Sequence, residues 1–137
     1  MAHWLIKSEP NKWSWRDQVE AGEKGTFWNG VRNHTAKQYL MAMQLGDQVF
    51  FYHSNEGKEI VGIVEVIKLF YPDPSDPSGK FGMVDVRAVK PLKRPVTLEA
   101  IKADPRLKDM MLVKNSRLSV QPVTDEEWKI VCEEGGV

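Results

Sequence analysis

The chain has 137 residues, 42% of them hydrophobic and 28% charged, enough to bury one sizeable core and too few for two full-sized domains. Nineteen basic residues balance nineteen acidic ones, so the sequence lacks the overall positive charge of a protein that coats nucleic acid by electrostatics alone. A single cysteine, Cys132, excludes an intrachain disulfide framework and a cysteine-based zinc cage, and because Met1 to Pro10 holds no long apolar run before the charged Lys7 and Glu9, neither a secretory signal nor a membrane anchor is expected there.

In chain order, His3 to Ile6 reads as a first strand, ended by Lys7-Ser8-Glu9-Pro10, where the proline biases Glu9 away from helix. Ser14 and Asp17 have capping-box spacing for a short helix, and Gly22 and Gly25 loosen the chain behind it. A second helix is expected from Asn33, with Ala36, Tyr39, Leu40 and Met43 along one face. Val49 to Ser54 reads as a strand, joined through Asn55–Lys58 to a longer strand, Ile60 to Phe70. Tyr71 to Gly79 is rich in proline, aspartate and serine and reads as a surface loop. Val84 to Val89 is a further strand that Pro91 is expected to end, Thr97 to Ala103 a short helix, and Leu118 to Val120 a last strand before Pro122. Thr124 and Glu127 form a capping box for a terminal helix that docks through Trp128 and Val131. The sum is one mixed α/β domain over residues 1–137, dominated by a partly antiparallel sheet.

Polar and aromatic clusters are the candidates for chemistry. Trp28 follows a loop beside Asn29, Gly30 and Arg32, where an indole can stack on a planar ligand; packing over the next helix is an equally good reading. Lys7, Ser8 and Glu9 put a cation, a hydroxyl and a carboxylate at a strand end, the mixture a base pocket needs and also one that simply caps a turn. In Phe50-Phe51-Tyr52-His53-Ser54, period two separates Val49, Phe51 and His53 from Phe50, Tyr52 and Ser54; one face fills the core and the other presents Tyr52 or Ser54 to a pocket. His3, His34 and His53 lack metal-ligand spacing, no phosphate loop or nucleophile elbow is present, and Cys132 has no oxyanion motif near it. Binding therefore outranks catalysis, with no metal and no cofactor implied. From Arg87 to Arg117 nine basic residues face three acidic ones, either one phosphate-binding face or scattered solubilising charge.

Taken together, Trp4-Leu5-Ile6-Lys7-Ser8-Glu9-Pro10, Trp28-Asn29-Gly30-Val31-Arg32-Asn33, Phe50-Phe51-Tyr52-His53-Ser54, Tyr71-Pro72-Asp73-Pro74 and Ser116-Arg117-Leu118-Ser119-Val120-Gln121-Pro122-Val123 resemble, in order, the EVE domain family. This belongs to the PUA-like group that also holds the YTH readers of methylated adenine. The resemblance implies a PUA-like curved β-sheet or pseudobarrel with surrounding helices and a non-catalytic pocket for a modified base, foremost 5-methylcytosine or 5-hydroxymethylcytosine in DNA. Where the family often has Trp-Asp-Gly, this chain has Asn29, an amide that donates as well as accepts. Under the resemblance, Trp28 with Tyr52 or another aromatic sandwiches the base, Ser8, Glu9 and Asn29 read its polar groups, Ser54 borders the pocket, and Lys7, Arg32 and Arg117 hold phosphate or secure the pocket. The alternatives are an RNA-binding adaptor for a modified nucleotide and a protein-interaction module built on the Tyr71–Gly79 loop. The expected location is the cytoplasm, or the nucleus in a eukaryote, with no membrane partner and no oligomeric state implied.

Overall fold

The computed structural model describes residues 2–137. Six strands, β1 (His3–Ser8), β2 (Thr26–Phe27), β3 (Gln48–His53), β4 (Glu59–Pro72), β5 (Gly82–Thr97) and β6 (Val120–Val123), form one sheet in the order β2-β5-β4-β3-β1-β6. All neighbours are antiparallel except β1 and β3, which run parallel with Ser8 opposite His53. The helices are α1 (Trp15–Glu20), α2 (His34–Ala42), α3 (Leu98–Ala103), α4 (Met111–Lys114) and α5 (Asp125–Gly135).

Alternation along the strands sends side chains to two cores, one on each face of the sheet. On the first face Trp4, Ile6, Val49, Phe51, Val64 and Val86 pack with Ala36 and Leu40 of α2, with Met43 just after it and with Trp28. On the second, Leu5, Phe50, Tyr52, Ile60 and Ile63 pack with Trp128, Ile130 and Val131 of α5. Trp128 stacks on Phe50 at 3.8 Å between centroids and 16° between planes, a contact worth about 0.5–1.5 kcal/mol beyond its burial. Both expected capping boxes form, Ser14 with Asp17 and Thr124 with Glu127, and Asn33 caps α2 through the Ala36 amide.

The mixed α/β class and the surrounding helices hold, but the sheet does not close into a pseudobarrel: β2 and β6 are its two edges. Pro91 does not end its strand. Five residue steps of β5, Pro91 to Val96, face two of β4, Gly62 to Ile60, so Pro91 and Pro95 bracket an irregularity rather than interrupting a regular ladder. The last strand begins at Val120, not Leu118, and contains Pro122, which β6 tolerates because it pairs only with β1 and leaves its other edge free. Tyr71 and Pro72 belong to β4 rather than to the loop. The aromatic run does not divide into a core face and a pocket face: Phe51 and Tyr52 are 0% and 3% exposed on opposite sides.

Candidate nucleic-acid interface

The end of β1 and the segment around β2 line one cavity of about 360 Å³, although β5, β4 and β3 lie between their strands in the sheet. Its walls are Lys7, Ser8, Glu9, Lys12, Trp13, Thr26, Phe27, Trp28 and Asn29. Pro10 ends the strand, and the turn behind it is closed by the Lys12 and Trp13 amides, both donating to the Glu9 carbonyl at 2.9 and 3.0 Å. That turn brings Trp13 in front of the capping box, outside α1, with its indole Nε1 donating to Gln18 at 2.9 Å.

Donor and acceptor roles in the cavity follow from these bonds. The Ser8 hydroxyl donates to the Trp13 carbonyl, leaving Ser8 as an acceptor. The Glu9 carboxylate pairs with Lys12 at 3.0 Å and accepts from the Asn55 amide, which fixes its orientation while lone pairs remain. Asn29 is exposed on the lip. Trp28 is held by its backbone amide, which donates to the Val84 carbonyl at 2.8 Å, and by an edge contact with Phe51 at 5.6 Å and 82°. At 8% exposed, Trp28 is a core residue whose rim reaches the cavity.

Five expected residues, Lys7, Ser8, Glu9, Trp28 and Asn29, are thus brought together, and four are not. Tyr52 lies in the core beneath α5, on the opposite side of the sheet from Trp28, so the two cannot sandwich one base. Burial raises the Tyr52 phenol above its ordinary pKa. Ser54 supports the site only through its backbone amide, which donates to the Ser8 carbonyl at 2.9 Å. Arg117 is exposed in the loop whose Ser116 carbonyl accepts from the Lys7 ammonium at 2.7 Å. That ammonium also sits 5.8 Å from the Tyr52 ring centroid, and burial lowers its pKa; Lys7 is engaged inward.

Arg32 bonds to two of the residues that line a different cavity, again of about 360 Å³, whose walls are Phe27, Asn29, Asp73, Pro74, Ser75 and Met83. Its guanidinium donates to Asp73 at 3.2 Å and to Ser75 at 2.9 Å. Asp73, 2% exposed, accepts in addition from the Gly30 amide at 2.8 Å and from the Ser75 amide and hydroxyl at 2.8 and 2.6 Å. Burial alone would raise its carboxyl; the hydrogen bonds from Ser75, Gly30 and Arg32 outweigh that and hold it below the ordinary value. Asp73 therefore ties the Asp73–Lys80 loop to the chain just after Trp28 and Asn29.

Lys12, Trp13, Thr26 and Phe27 were missed. Trp13 carried a signal, since the residue before a helix N-cap lies outside the helix and its indole is not spent on the helical face. Phe27 carried none, because a two-residue edge strand has no periodicity to read. The basic run from Arg87 to Arg117 is not one phosphate face. Arg87 pairs with Glu65, Arg106 with Asp104 at 2.8 Å, and Lys114 with Asp109 at 3.2 Å, while Arg87 and Lys90 line one cleft and Lys102 another. His53 accepts from the Trp15 amide at 3.0 Å, and burial lowers its pKa against the pull of Glu59, which makes it a structural acceptor. Among the described residues no group of three His, Cys, Asp or Glu side chains is placed to hold a metal, and no helix is long and apolar enough to cross a membrane.

The sequence pattern of the EVE domain matches residues 2–134. The chain belongs to the EVE domain family. A Rhodopseudomonas palustris protein solved by NMR is 65% identical, with a TM-score of 0.94 over 99% of this chain and 94% of that one. The human THYN1 protein, crystallised in complex with DNA containing 5-methylcytosine, is 36% identical, with a TM-score of 0.94 over all of this chain and 99% of that one. Chicken thymocyte nuclear protein 1 is 42% identical over 161 residues, 94% of this chain; the EVE domain chain spans 66% of that relative's length.

Proposed function

We propose that this chain is a non-catalytic reader of a modified cytosine in DNA, acting as a single EVE domain over residues 1–137. The observation that carries the reading is the first cavity, where aromatic rings and polar groups of defined direction meet in a fold that matches the human THYN1 protein in complex with 5-methylcytosine DNA along its whole length. The cytosine N4 amine donates, and Glu9 and Ser8 offer acceptors for it; carboxylate acceptance from N4 is a standard cytosine contact. The base's ring nitrogen and carbonyl accept, and the Asn29 amide, unlike the aspartate common in the family, donates to them. Trp13 and the rim of Trp28 take the base's faces, and a 5-methyl or 5-hydroxymethyl group meets their apolar atoms. Lys7, Ser54, Arg32 and Arg117 act as supports around the pocket rather than as direct readers.

One methyl group in a fitted pocket contributes about 1–3 kcal/mol, so preference over plain cytosine is modest. Extruding the base from a duplex costs a few kcal/mol, so single strands and mismatches bind more readily than paired sites. The test is equilibrium binding to matched single- and double-stranded DNA and RNA carrying cytosine, 5-methylcytosine or 5-hydroxymethylcytosine. Preference for a modified DNA strand that Trp13→Ala weakens supports the reading; equal affinity for every modification state rejects it, and tight binding that needs ribose moves the substrate to RNA. Location follows the host: relatives are named nuclear proteins, and a host without a nucleus places the protein with its DNA in the cytoplasm.

A further inference from the structure

Phe27 is the exposed wall between the two cavities. It lines both, as does Asn29, and its ring is 55% exposed, unusual for a phenylalanine on a sheet. Its backbone is fixed on either side: Thr26 and Phe27 pair with Val86 and Asp85 of β5, and the Trp28 amide bonds to Val84. A side chain on an anchored edge strand loses little conformational freedom on binding. Gly25 makes this placement possible: at φ +67° its Cα approaches Val86 so closely that a Cβ would lie 2.1 Å from the Val86 carbonyl oxygen.

Cations and carboxylates both stand near the second cavity. Arg32 and Lys37 lie 5.8 and 5.9 Å from the Phe81 ring, His34 packs on the same ring at 5.0 Å, and Lys80 precedes it. Three carboxylates lie on the same side: Asp73, paired with Arg32, Asp76, which accepts from Ser78 and the Phe81 amide, and Asp85, which accepts from the Tyr71 hydroxyl. Lys12 stands at the first cavity. A strand running from the first cavity to the second therefore passes over the aromatic ring that both cavities share.

The geometry points to a second nucleotide site: the base next to the one read in the first cavity, on the same strand, stacks on Phe27, with its nucleotide seated in the cavity of Asn29, Asp73, Pro74, Ser75 and Met83. This rests on the base-reader function above and gives it a footprint of two nucleotides. The occupant is a nucleotide because the platform is an exposed aromatic ring that also borders the base cavity, and the two cavities share Phe27 and Asn29 as walls.

The test is a double-mutant cycle on single-stranded oligonucleotides with one 5-methylcytosine, in which the nucleotide on its 5′ or its 3′ side is replaced by an abasic site. The unsubstituted protein loses roughly 5- to 150-fold in affinity when one of the two flanks becomes abasic. In Phe27→Ala that replacement changes affinity less than about twofold, and Phe27→Leu, which keeps bulk without a π-face, behaves like Phe27→Ala. Phe27→Trp restores the flank dependence. Phe27 is exposed, so these variants fold, and circular dichroism checks it. Flank loss that is the same in the unsubstituted protein and in Phe27→Ala, or no loss on either side, overturns the second site. The same titrations compare 5-methylcytosine with cytosine: a preference that persists without flank dependence overturns this inference alone, and no preference overturns the reader function and the second site with it.

Discussion

Replacing Asp73 by asparagine keeps the side chain's shape and removes one acceptor oxygen. In the native loop Oδ2 accepts from the Gly30 amide and Arg32, and Oδ1 accepts from the Ser75 amide and hydroxyl. Whichever way the asparagine amide turns, its NH2 group faces two donors. One of those is a backbone N–H, of Gly30 or of Ser75, that cannot swing away as Arg32 or the Ser75 hydroxyl can. A hydrogen bond to a charged group contributes about 1.5–3 kcal/mol, and an orphaned buried donor costs about 1–3 kcal/mol. Arg32, 41% exposed, recovers part of its loss in water. Asp73→Asn should therefore cost about 2–4 kcal/mol, nearly as much as Asp73→Ala, and lower Tm by roughly 10 °C in a domain of this size.

Urea unfolding of both variants, with the modified-DNA affinity measured beside it, checks this. Because Asp73 anchors Gly30, one residue beyond Asn29, affinity should fall together with stability. An asparagine variant within about 0.5 kcal/mol of the unsubstituted protein would show that the loop does not depend on the carboxylate, and the hub would be refuted.

Trp13→Ala should weaken binding roughly 5- to 150-fold in titrations and also lower the unfolding midpoint, at a cost of about 1–3 kcal/mol for the buried Gln18 carbonyl that loses its indole donor, whereas Trp13→Phe separates the stacking ring from that hydrogen bond. Trp28→Ala should instead destabilise by about 3–5 kcal/mol in chemical denaturation, as expected of a ring 8% exposed, so an affinity change in that variant reports folding as much as contact. Gly62→Ala should destabilise the sheet measurably in the same assay, because its Cβ would land 2.4 Å from the Trp15 indole. Acid should release the Asp73–Lys80 loop before the core: the Asp73 carboxyl lies below its ordinary value, and that of Asp76 is pulled down to about 2, chiefly by the Ser78 hydroxyl. A depressed carboxyl stabilises fully above its unfolded pKa of about 4 and loses that contribution as pH falls through its folded value, so the Gly30 and Ser75 amide resonances, which report Asp73, should shift below about pH 4, and those of Ser78 and Phe81, which report Asp76, as pH falls toward about 2.

Helix starts were the most legible part of the chain, because a cap is a local device: Ser14, Asn33, Thr97 and Thr124 each accept from the amide three residues on. Strand ends were less so. The rule that proline stops a ladder failed at Pro91 and Pro122 for the same reason, that neither residue had a ladder amide to lose, one at an irregularity and the other on an edge. Period two correctly separated Phe51 from Tyr52 but could not reveal that both faces are covered, since that depends on how α2, next to β3 in the chain, and α5, far from it, dock on opposite faces. For the site, Lys7 to Glu9 were legible as polar groups at a strand end, although β1 runs on through Ser8 rather than stopping at Ile6, and Trp28 to Asn29 as an aromatic and an amide beside a turn. Their meeting, and the entry of Trp13 and Phe27, is tertiary.

Covering both faces of the sheet also decides where a ligand can bind. With cores on either side, polar groups accessible to a base occur at strand ends and edges. β1 and β3 are the parallel pair, so their carboxyl ends lie side by side, and the Ser54 amide bonds across to the Ser8 carbonyl where the two strands stop. The carboxyl ends of parallel strands are the side on which open α/β sheets bind ligands. Here that end is roofed by the edge strand β2, whose next residue, Trp28, is locked into the first core while Phe27 points outward. The same alternation that buries Trp28 exposes Phe27. A reading pocket and a flanking stacking surface on one anchored segment are thus a consequence of strand geometry, and a substitution that shifts β2 by one residue would exchange the two rings and abolish both.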